Sequence, residues 1–293
     1  MSISKLSLGS VQWGKPYGVS NSNGQTDFKE VNRILTKARS AGIHLIDTAA
    51  SYGNAEDVLG KNNLSYFSIV TKASKFKNNS ITKIEVDDLS LKFEQSLSKL
   101  NQSSCYGLLI HQKEDIFKNG SQYLIETLNK LKLKGLVKKI GISIYDSNDI
   151  DEVIERLRPD IIQLPINVLD QRFIKDGSID YIKSKNIEVH ARSVFLQGLL
   201  LMPSENIPIF FKIWIKKINE WKNTCTKKNI NCLNAALNFV IKQNNIDYCL
   251  VGVENLIQLE QCITAIETGE IYDFSEFACN DLKLINPNNW EIK

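Results

Sequence analysis

The segment Ile43-His44-Leu45-Ile46-Asp47-Thr48-Ala49-Ala50-Ser51-Tyr52-Gly53-Asn54-Ala55-Glu56 begins as a short apolar run, breaks off at a carboxylate and enters a loop of small residues that carries a phenol. Such a run reads as a strand buried on both faces, as in a parallel sheet, with the polar continuation at its carboxyl end. Two later segments have the same form: Phe67-Ser68-Ile69-Val70 leads to Lys72, and Gly107-Leu108-Leu109-Ile110 leads to His111. Asp47, Tyr52, Lys72 and His111 therefore sit on or just past the exits of three apparent strands.

Between these segments the period changes to that of a helix. Val31, Ile34, Leu35 and Ala38 form a stripe after an Asp27-x-x-Glu30 start signal, and Gly42 marks the stop. Leu89, Phe93, Leu97 and Leu100 precede a strand over Cys105–Ile110, and Leu124, Leu128 and Leu131 precede one over Val137–Ser143. The alternation goes on through a helix at Ile150, Val153, Ile154 and Leu157, a strand at 160–164, a helix after Gln171 and a strand at 187–191. An extra helical segment is expected around 207–228, then a helix at 233–241, a strand at 248–251 and a helix at 256–266. With a first strand at 6–11 the chain has eight strands alternating with helices, which fits a single-domain α/β fold, the closed (β/α)8 TIM barrel, over 1–293. An open doubly wound sheet would announce a nucleotide by a Gly-rich first turn; Gly9-Ser10-Val11-Gln12-Trp13-Gly14 has no G-x-G-x-x-G.

Bulk composition agrees with one soluble domain. The chain has 293 residues, 43% hydrophobic and 24% charged, and no Pro-rich, Gly/Ser-rich or low-complexity tract separates two apolar regions. A net charge of +3 from 36 basic and 33 acidic residues is too balanced for nucleic acid or an anionic membrane as the main partner. The pairs Lys138-Lys139, Lys216-Lys217 and Lys227-Lys228 read as solvated faces. The amino-terminal residues lack a signal-peptide pattern and no apolar run approaches the roughly 18 residues of a membrane span, so a cytoplasmic protein is expected. Six cysteines show neither C-x-x-C nor zinc spacing and read as buried small hydrophobes; no metal site is expected.

The four strand-exit residues suggest proton delivery. A phenol with its usual pKa near ~10 becomes a useful donor when an ammonium adjoins its oxygen. Lys72 is a candidate for that ammonium, Asp47 for the carboxylate that holds it, and His111 for the donor that orients a carbonyl oxygen. Such a set moves a proton and supplies no hydride, so a redox cofactor would complete it. Taken singly, each has a plain reading: Asp47 as a loop cap, Tyr52 as a half-buried aromatic before a turn, Lys72 as a surface ammonium, His111 as a satisfied rim histidine. Together they crowd the rim on which barrel enzymes work.

With these segments in view, the chain resembles the aldo-keto reductases. The resemblance rests on Ile46-Asp47-Thr48-Ala49-Ala50-Ser51-Tyr52-Gly53-Asn54-Ala55-Glu56, Val70-Thr71-Lys72, Leu108-Leu109-Ile110-His111 and Lys139-Ile140-Gly141-Ile142-Ser143, and it extends to Leu250-Val251-Gly252-Val253-Glu254-Asn255 and the helix after it. The resemblance implies reversible reduction of an aldehyde, ketone or sugar carbonyl by a nicotinamide cofactor bound at the barrel mouth. Tyr52 then corresponds to the general acid, Lys72 and Asp47 to its tuning pair, and His111 to the carbonyl-orienting residue. Ser143 and Gln163 match positions that hold the carboxamide, and Ser193, Gly252, Asn255 and Gln258 match the pyrophosphate and adenosine side.

The pattern departs from the family at three places. Ile144 stands where many members have Asn, and Arg192 stands where a Tyr commonly stacks on the nicotinamide. Arg192 has three readings: stacking on the ring, reaching the phosphates, or meeting an acidic substrate. The segment Gly252–Gln258 offers no cation to a 2′-phosphate, and Glu254 has the character of a group that favours a bare ribose diol, or else of a helix first-turn carboxylate. The cofactor expectation is NADP(H) or NAD(H), with NADPH favoured by the resemblance alone. Trp13 and Tyr17 are candidate walls of the substrate pocket, with packing of the first loop as the other reading, and residues 203–229 form a lid or an outer helix. A cofactor-binding regulatory or partner subunit with little turnover is the second hypothesis. A metal-dependent isomerase or lyase is a third, for which three histidines leave little.

Overall fold

The computed structural model describes residues 3–269 and 272–292; the two ends of the 1–293 span and residues 270 and 271 lie outside the described residues. Eight parallel strands close into a barrel in chain order: β1 (Leu6–Gly9), β2 (Leu45–Asp47), β3 (Ser68–Ala73), β4 (Cys105–Ile110), β5 (Val137–Ser143), β6 (Ile161–Pro165), β7 (Glu188–Arg192) and β8 (Tyr248–Gly252), with β8 paired back to β1. Helices separate them, among them Phe28–Ser40, Lys83–Lys99, Ser121–Leu133, Ile150–Leu157, Cys232–Ile241 and Leu256–Thr268. The (β/α)8 barrel is the expected fold.

Strand periodicity sorts the residues. Leu6, Leu8, Ile46, Ile69, Leu108 and Ile142 point outward and join helix stripes such as Val31–Ile34–Leu35–Ala38 in one large apolar cluster. Leu45, Val70, Leu109, Ile161 and Leu250 point inward and form the barrel's middle layer. Side chains alternate along a strand, so the next inward positions are Asp47, Lys72, His111, Gln163 and Gly252, which reach the carboxyl-end rim. At the opposite end Glu188 accepts hydrogen bonds from Tyr106 (2.8 Å) and Lys139 and faces His190 Nε2 at 3.3 Å. Lys139 is therefore part of an ionic plug in the barrel floor and not a solvated charge.

The first strand stops at Gly9, short of its expected end. Ser10 N–H donates to the Asp47 carbonyl at 2.9 Å, and Val11–Gly14 curl into a helical turn. That turn lies against the loop carrying Tyr52. A Cβ on Gly14 would sit 1.8 Å from the Tyr52 carbonyl oxygen, and one on Gly53, whose φ is +59°, would sit 2.1 Å from the Gly14 oxygen. Only glycine at both positions allows this approach. Glu56, buried, accepts a 2.9 Å hydrogen bond from Thr71 Oγ1 and fastens the same loop to β3 beside Lys72. Asp27 caps the helix Phe28–Ser40 by accepting from Lys29 N–H, whereas Glu30 accepts from Leu256 N–H at 2.6 Å, tying this helix to the helix Leu256–Thr268.

The segment around 207–228 is a 3-10 turn, Ile209–Trp214, leading into the helix Ile215–Lys227. Ile218, Trp221 and Cys225 are buried with Phe211, Phe274, Phe277 and Leu284 in a second apolar cluster, and Trp221 Nε1 donates to the Leu200 carbonyl at 3.2 Å. The helix is a packed outer element.

Candidate active site

A cavity of about 1130 Å³ opens at the carboxyl-end rim and runs outward between the β8 exit, the helix Leu256–Thr268 and the stretch from Arg192 to Asn206. Asp47, Tyr52, Lys72 and His111 line its barrel end together with Ser143, Gln163 and Arg192. Ser193, Gly252 and Gln258 line the outer arm.

Lys72 and Asp47 form an ion pair with side chains only 2% and 7% exposed. Lys72 Nζ also donates to the Thr48 carbonyl at 3.0 Å, and Gln163 Nε2 donates to the other Asp47 oxygen at 2.8 Å. Completion of these bonds is what makes a buried pair tolerable. Burial pushes the Lys72 ammonium below its ordinary pKa, against the pull of Asp47. Its nitrogen lies beside the phenol, 5.0 Å from the centroid of the Tyr52 ring, and gives protons to Asp47 and the Thr48 carbonyl. Burial and the Asp47 charge push the Tyr52 phenol up, with Arg192 opposing them, so the hydroxyl is protonated at neutral pH. His111 meets Tyr52 edge to face, ring centroids 6.4 Å apart. Burial first, and then the Lys72 charge, lower its pKa to about 4, leaving a neutral imidazole.

Arg192 lies face to face with an unanticipated residue: its guanidinium carbon is 3.9 Å from the centroid of the Tyr145 ring. It donates to the Ile144 carbonyl at 3.0 Å and to Ser193 Oγ at 3.3 Å. Ile144 itself is fully buried in the outer apolar cluster and contributes only this carbonyl. Tyr145 follows the β5 exit by two residues, and reading one residue further past each strand end would have found it.

Several expected positions do other work. Trp13 is no pocket wall: it is fully buried, and its indole Nε1 donates to the Val253 carbonyl at 3.0 Å, joining the first loop to the β8 exit. Tyr17 does line the cavity. Asn255 stays off the cavity wall, because its side chain caps the helix Leu256–Thr268 by accepting from Gln258 N–H at 2.9 Å. Gln258 Oε1 accepts from Glu254 N–H at 2.7 Å. With Leu256 N–H already given to Glu30, two amides of this helix start are engaged within the protein. The cysteines are not uniformly inert: Cys232 and Cys279 are half-buried, and Cys232 lines the cavity. The neighbouring Cys225 thiol, aided by the Lys222 charge and opposed by burial, lowers the Cys232 pKa.

The cavity suits an extended nucleotide. At about 1130 Å³ it is somewhat larger than the roughly 300–1000 Å³ typical of small-molecule sites. Ser143 and Gln163 present polar atoms at its barrel end. Farther out Gln12 Oε1 is buried with no partner, against the bare Cα of Gly252, where a Cβ would meet the Gln12 amide at 2.4 Å. Gln12 was not anticipated, since a lone amide in a loop carries no periodic signal. Its orphaned oxygen is a ready acceptor for a ligand that reaches the β8 exit. Among the described residues no cluster of His, Cys, Asp or Glu is built to hold a metal ion, and no helix is long and apolar enough to cross a membrane.

Comparison with known proteins agrees with this geometry. The chain is 24% identical to the NADH-specific methylglyoxal reductase of Escherichia coli, over 91% of this chain and 90% of that protein. It is 22% identical to the L-galactose dehydrogenase of Arabidopsis thaliana, over 97% and 91% respectively. Among solved structures, an aldo-keto reductase from Bacillus halodurans in its holo form superposes with a TM-score of 0.73 at 19% identity, covering 93% of this chain and 90% of that one. The glycerol dehydrogenase of Gluconobacter oxydans gives 0.69 at 20% identity, covering 99% and 94%; at such identities the likeness speaks to the fold alone. The model of the aldo/keto reductase family matches residues 5–278, and with the match spanning nearly its whole length the chain belongs to that family of NAD(P)H-dependent oxidoreductases.

Proposed function

We propose that the protein reduces, reversibly, an aldehyde, ketone or sugar carbonyl, with Tyr52 as the proton donor. The observation that carries this reading is the convergence of Tyr52, His111, Lys72 and Asp47 on the barrel end of a cavity of about 1130 Å³ that continues outward to the β8 exit. A nicotinamide cofactor, when bound, supplies the hydride. Neutral His111 donates to the carbonyl oxygen and aims it at Tyr52, whose raised pKa keeps the proton in place until negative charge develops on that oxygen. The Asp47–Lys72–Gln163 network holds the floor of the site rigid and excludes water from beneath the phenol.

Ser143 and the free oxygen of Gln163 are the groups placed to hold the carboxamide; Gln12, Gly252, Ser193 and Gln258 are those along the outer arm. Asn255 serves the same arm by fixing its helix start. NAD(H) is the favoured form. The carboxylates Glu254 and Glu260 line the outer arm, while the lining cations Lys72 and Arg192 both stand at the barrel end. A 2′-phosphate would meet like charge there. The E. coli relative that is NADH-specific supports the same choice.

The test is consumption of NADH and NADPH by the purified protein against aldehydes, ketones and free sugars, for wild type and Tyr52→Phe. Loss of the acid is expected to lower turnover about 10²- to 10⁴-fold while cofactor binding, read by fluorescence quenching, is kept. Equal turnover by the two proteins would rule out Tyr52 as the acid. Cofactor binding with no turnover of any carbonyl compound by the wild type would favour a binding subunit.

A further inference from the structure

The barrel end of the cavity holds one charge that the protein leaves uncompensated. Lys72 and Asp47 cancel each other in a direct ion pair, and His111 is neutral. That leaves Arg192. Its guanidinium is paired with no carboxylate among the described residues; its contacts are the Ile144 carbonyl, Ser193 Oγ and the face of Tyr145. A guanidinium has five N–H donors, so most of its donor capacity is not used by the protein. The stack on Tyr145 and the bond to the Ile144 carbonyl just past β5 fix the plane of the group, which is thereby preorganised and not free to swing to solvent.

The charge acts where the chemistry takes place. Arg192 is close enough to Tyr52, His111, Tyr17 and Lys72 to lower the pKa of each. The phenols of Tyr17 and Tyr145 stand beside it on the same wall and add neutral donors. A half-buried cation with free donors, flanked by phenols, is a receptor for an oxyanion. A neutral carbonyl compound would occupy the same space and leave that charge unanswered.

We propose that Arg192, stacked on Tyr145, is the specificity-determining residue of the substrate site and that the substrate is a carbonyl compound bearing a carboxylate or a phosphate. The assignment rests on the oxidoreductase reading given above. It narrows the substrate from carbonyl compounds in general to those that bring an anion to the β5–β7 side of the mouth.

Matched aldehydes differing only in the anion test it: succinic semialdehyde against butanal for a carboxylate, and glyceraldehyde 3-phosphate against glyceraldehyde for a phosphate. The quantity read is the ratio of kcat/KM within each pair, which is insensitive to how much of a variant is folded. The wild type is expected to favour the anionic member of at least one pair by about tenfold or more. In Arg192→Gln that ratio falls tenfold to a hundredfold, as for loss of one charge-assisted contact, and Arg192→Lys keeps part of it. Ratios near one in the wild type for both pairs, or ratios unchanged in Arg192→Gln, would overturn the proposal. So would weaker NADH binding in Arg192→Gln with intact ratios, which would give the charge to the cofactor. Succinate, which has no carbonyl to reduce, separates the two readings. Arg192-dependent succinate binding without turnover of any aldehyde sinks the oxidoreductase reading and keeps the anion site. Turnover of neutral aldehydes with succinate binding equally to wild type and Arg192→Gln does the reverse.

Discussion

Lys72→Met isolates the role of the buried ion pair. The substitution keeps the length of the side chain and removes its charge, leaving Asp47 buried at the carboxyl-end rim with Gln163 as its remaining side-chain donor. Both partners of the pair are almost wholly buried, at 2% and 7% exposure, so solvent cannot replace the lost ammonium. Removing one member of such a pair typically costs about 3–5 kcal/mol. For a chain of 293 residues, an unfolding entropy of about 2 cal/mol/K per residue translates this into a fall of about 5–8 °C in Tm. Asp47→Asn added to Lys72→Met removes the stranded charge and is expected to restore much of that loss, so the double variant unfolds above the single one. Gln163→Leu, which strips the second donor from Asp47, is expected to cost about 1–3 kcal/mol and to couple with Lys72→Met beyond additivity. Thermal and urea unfolding of the wild type and four variants provide the assay. A Lys72→Met protein that melts within a degree of wild type, or a double variant less stable than the single, would refute the claim that the pair is held by mutual compensation.

Three further outcomes follow from single features. Glu188 is raised by burial but lowered further by hydrogen bonds from His190, Lys139 and Tyr106, for a net pKa of about 2. Its stabilisation is therefore full above the usual glutamate pKa near ~4.3 and is lost as pH falls from there toward 2, amounting to no more than about 3 kcal/mol; urea midpoints for wild type and Glu188→Gln should converge between pH 5 and 2.5, and parallel curves would contradict it. Glu254→Lys is expected to shift the NADPH-to-NADH binding ratio upward on the order of tenfold at low salt and less at high salt, and a wild type that already binds NADPH the more tightly would overturn the proposed cofactor preference. Gly53→Ala forces a Cβ to within 2.1 Å of the Gly14 oxygen at a φ of +59°, so both Tm and turnover should drop as the loop bearing Tyr52 lifts; full activity in this variant would show that the close approach is dispensable.

The strand exits were legible because burial on both faces leaves a strong mark. A run such as Leu108-Leu109-Ile110, set between helical stripes and too short for a helix of its own, reads as a strand buried on both faces, and the polar residue that ends it reaches the rim. What the one-dimensional pattern does not contain is how rim side chains share donors and acceptors. Asp47 was readable as the holder of Lys72, but the Thr48 carbonyl that shares the ammonium and the Gln163 amide that completes Asp47 were not, because a buried cation takes whichever acceptors best repay its desolvation. Trp13 fitted a pocket wall or packing of the first loop equally well. The structure gives the packing role, with the indole N–H donating to the Val253 carbonyl across the barrel seam, a contact 240 residues apart in sequence. Tyr145 escaped notice for the converse reason: its importance comes from Arg192 on another strand, and neither residue signals the stack on its own.

The charges along the cavity set a direction that no single residue shows. At the barrel end Arg192 contributes an unpaired positive charge, while the outer arm is lined by the carboxylates Glu254 and Glu260. Glu260 is partly offset by Lys37 at 3.5 Å in an exposed ion pair that salt would weaken, whereas Glu254 has a polar partner in Asn23 and no cation partner among the described residues, and burial raises its pKa. A cofactor with a bare adenosine ribose in the outer arm and a substrate with its anion at the barrel end both suit this gradient, and a phosphate on that ribose lies against it. The positive charge near Tyr52 also lowers the energy of an alkoxide or phenolate formed there, a task that the Lys72 ammonium, spent on Asp47, does not perform by direct contact. Arg192 is thus placed to favour both the anionic end of a substrate and the charge that develops during its reduction. On this argument Arg192→Gln should slow turnover of the neutral aldehydes as well as the anionic ones, with the greater loss on the anionic ones.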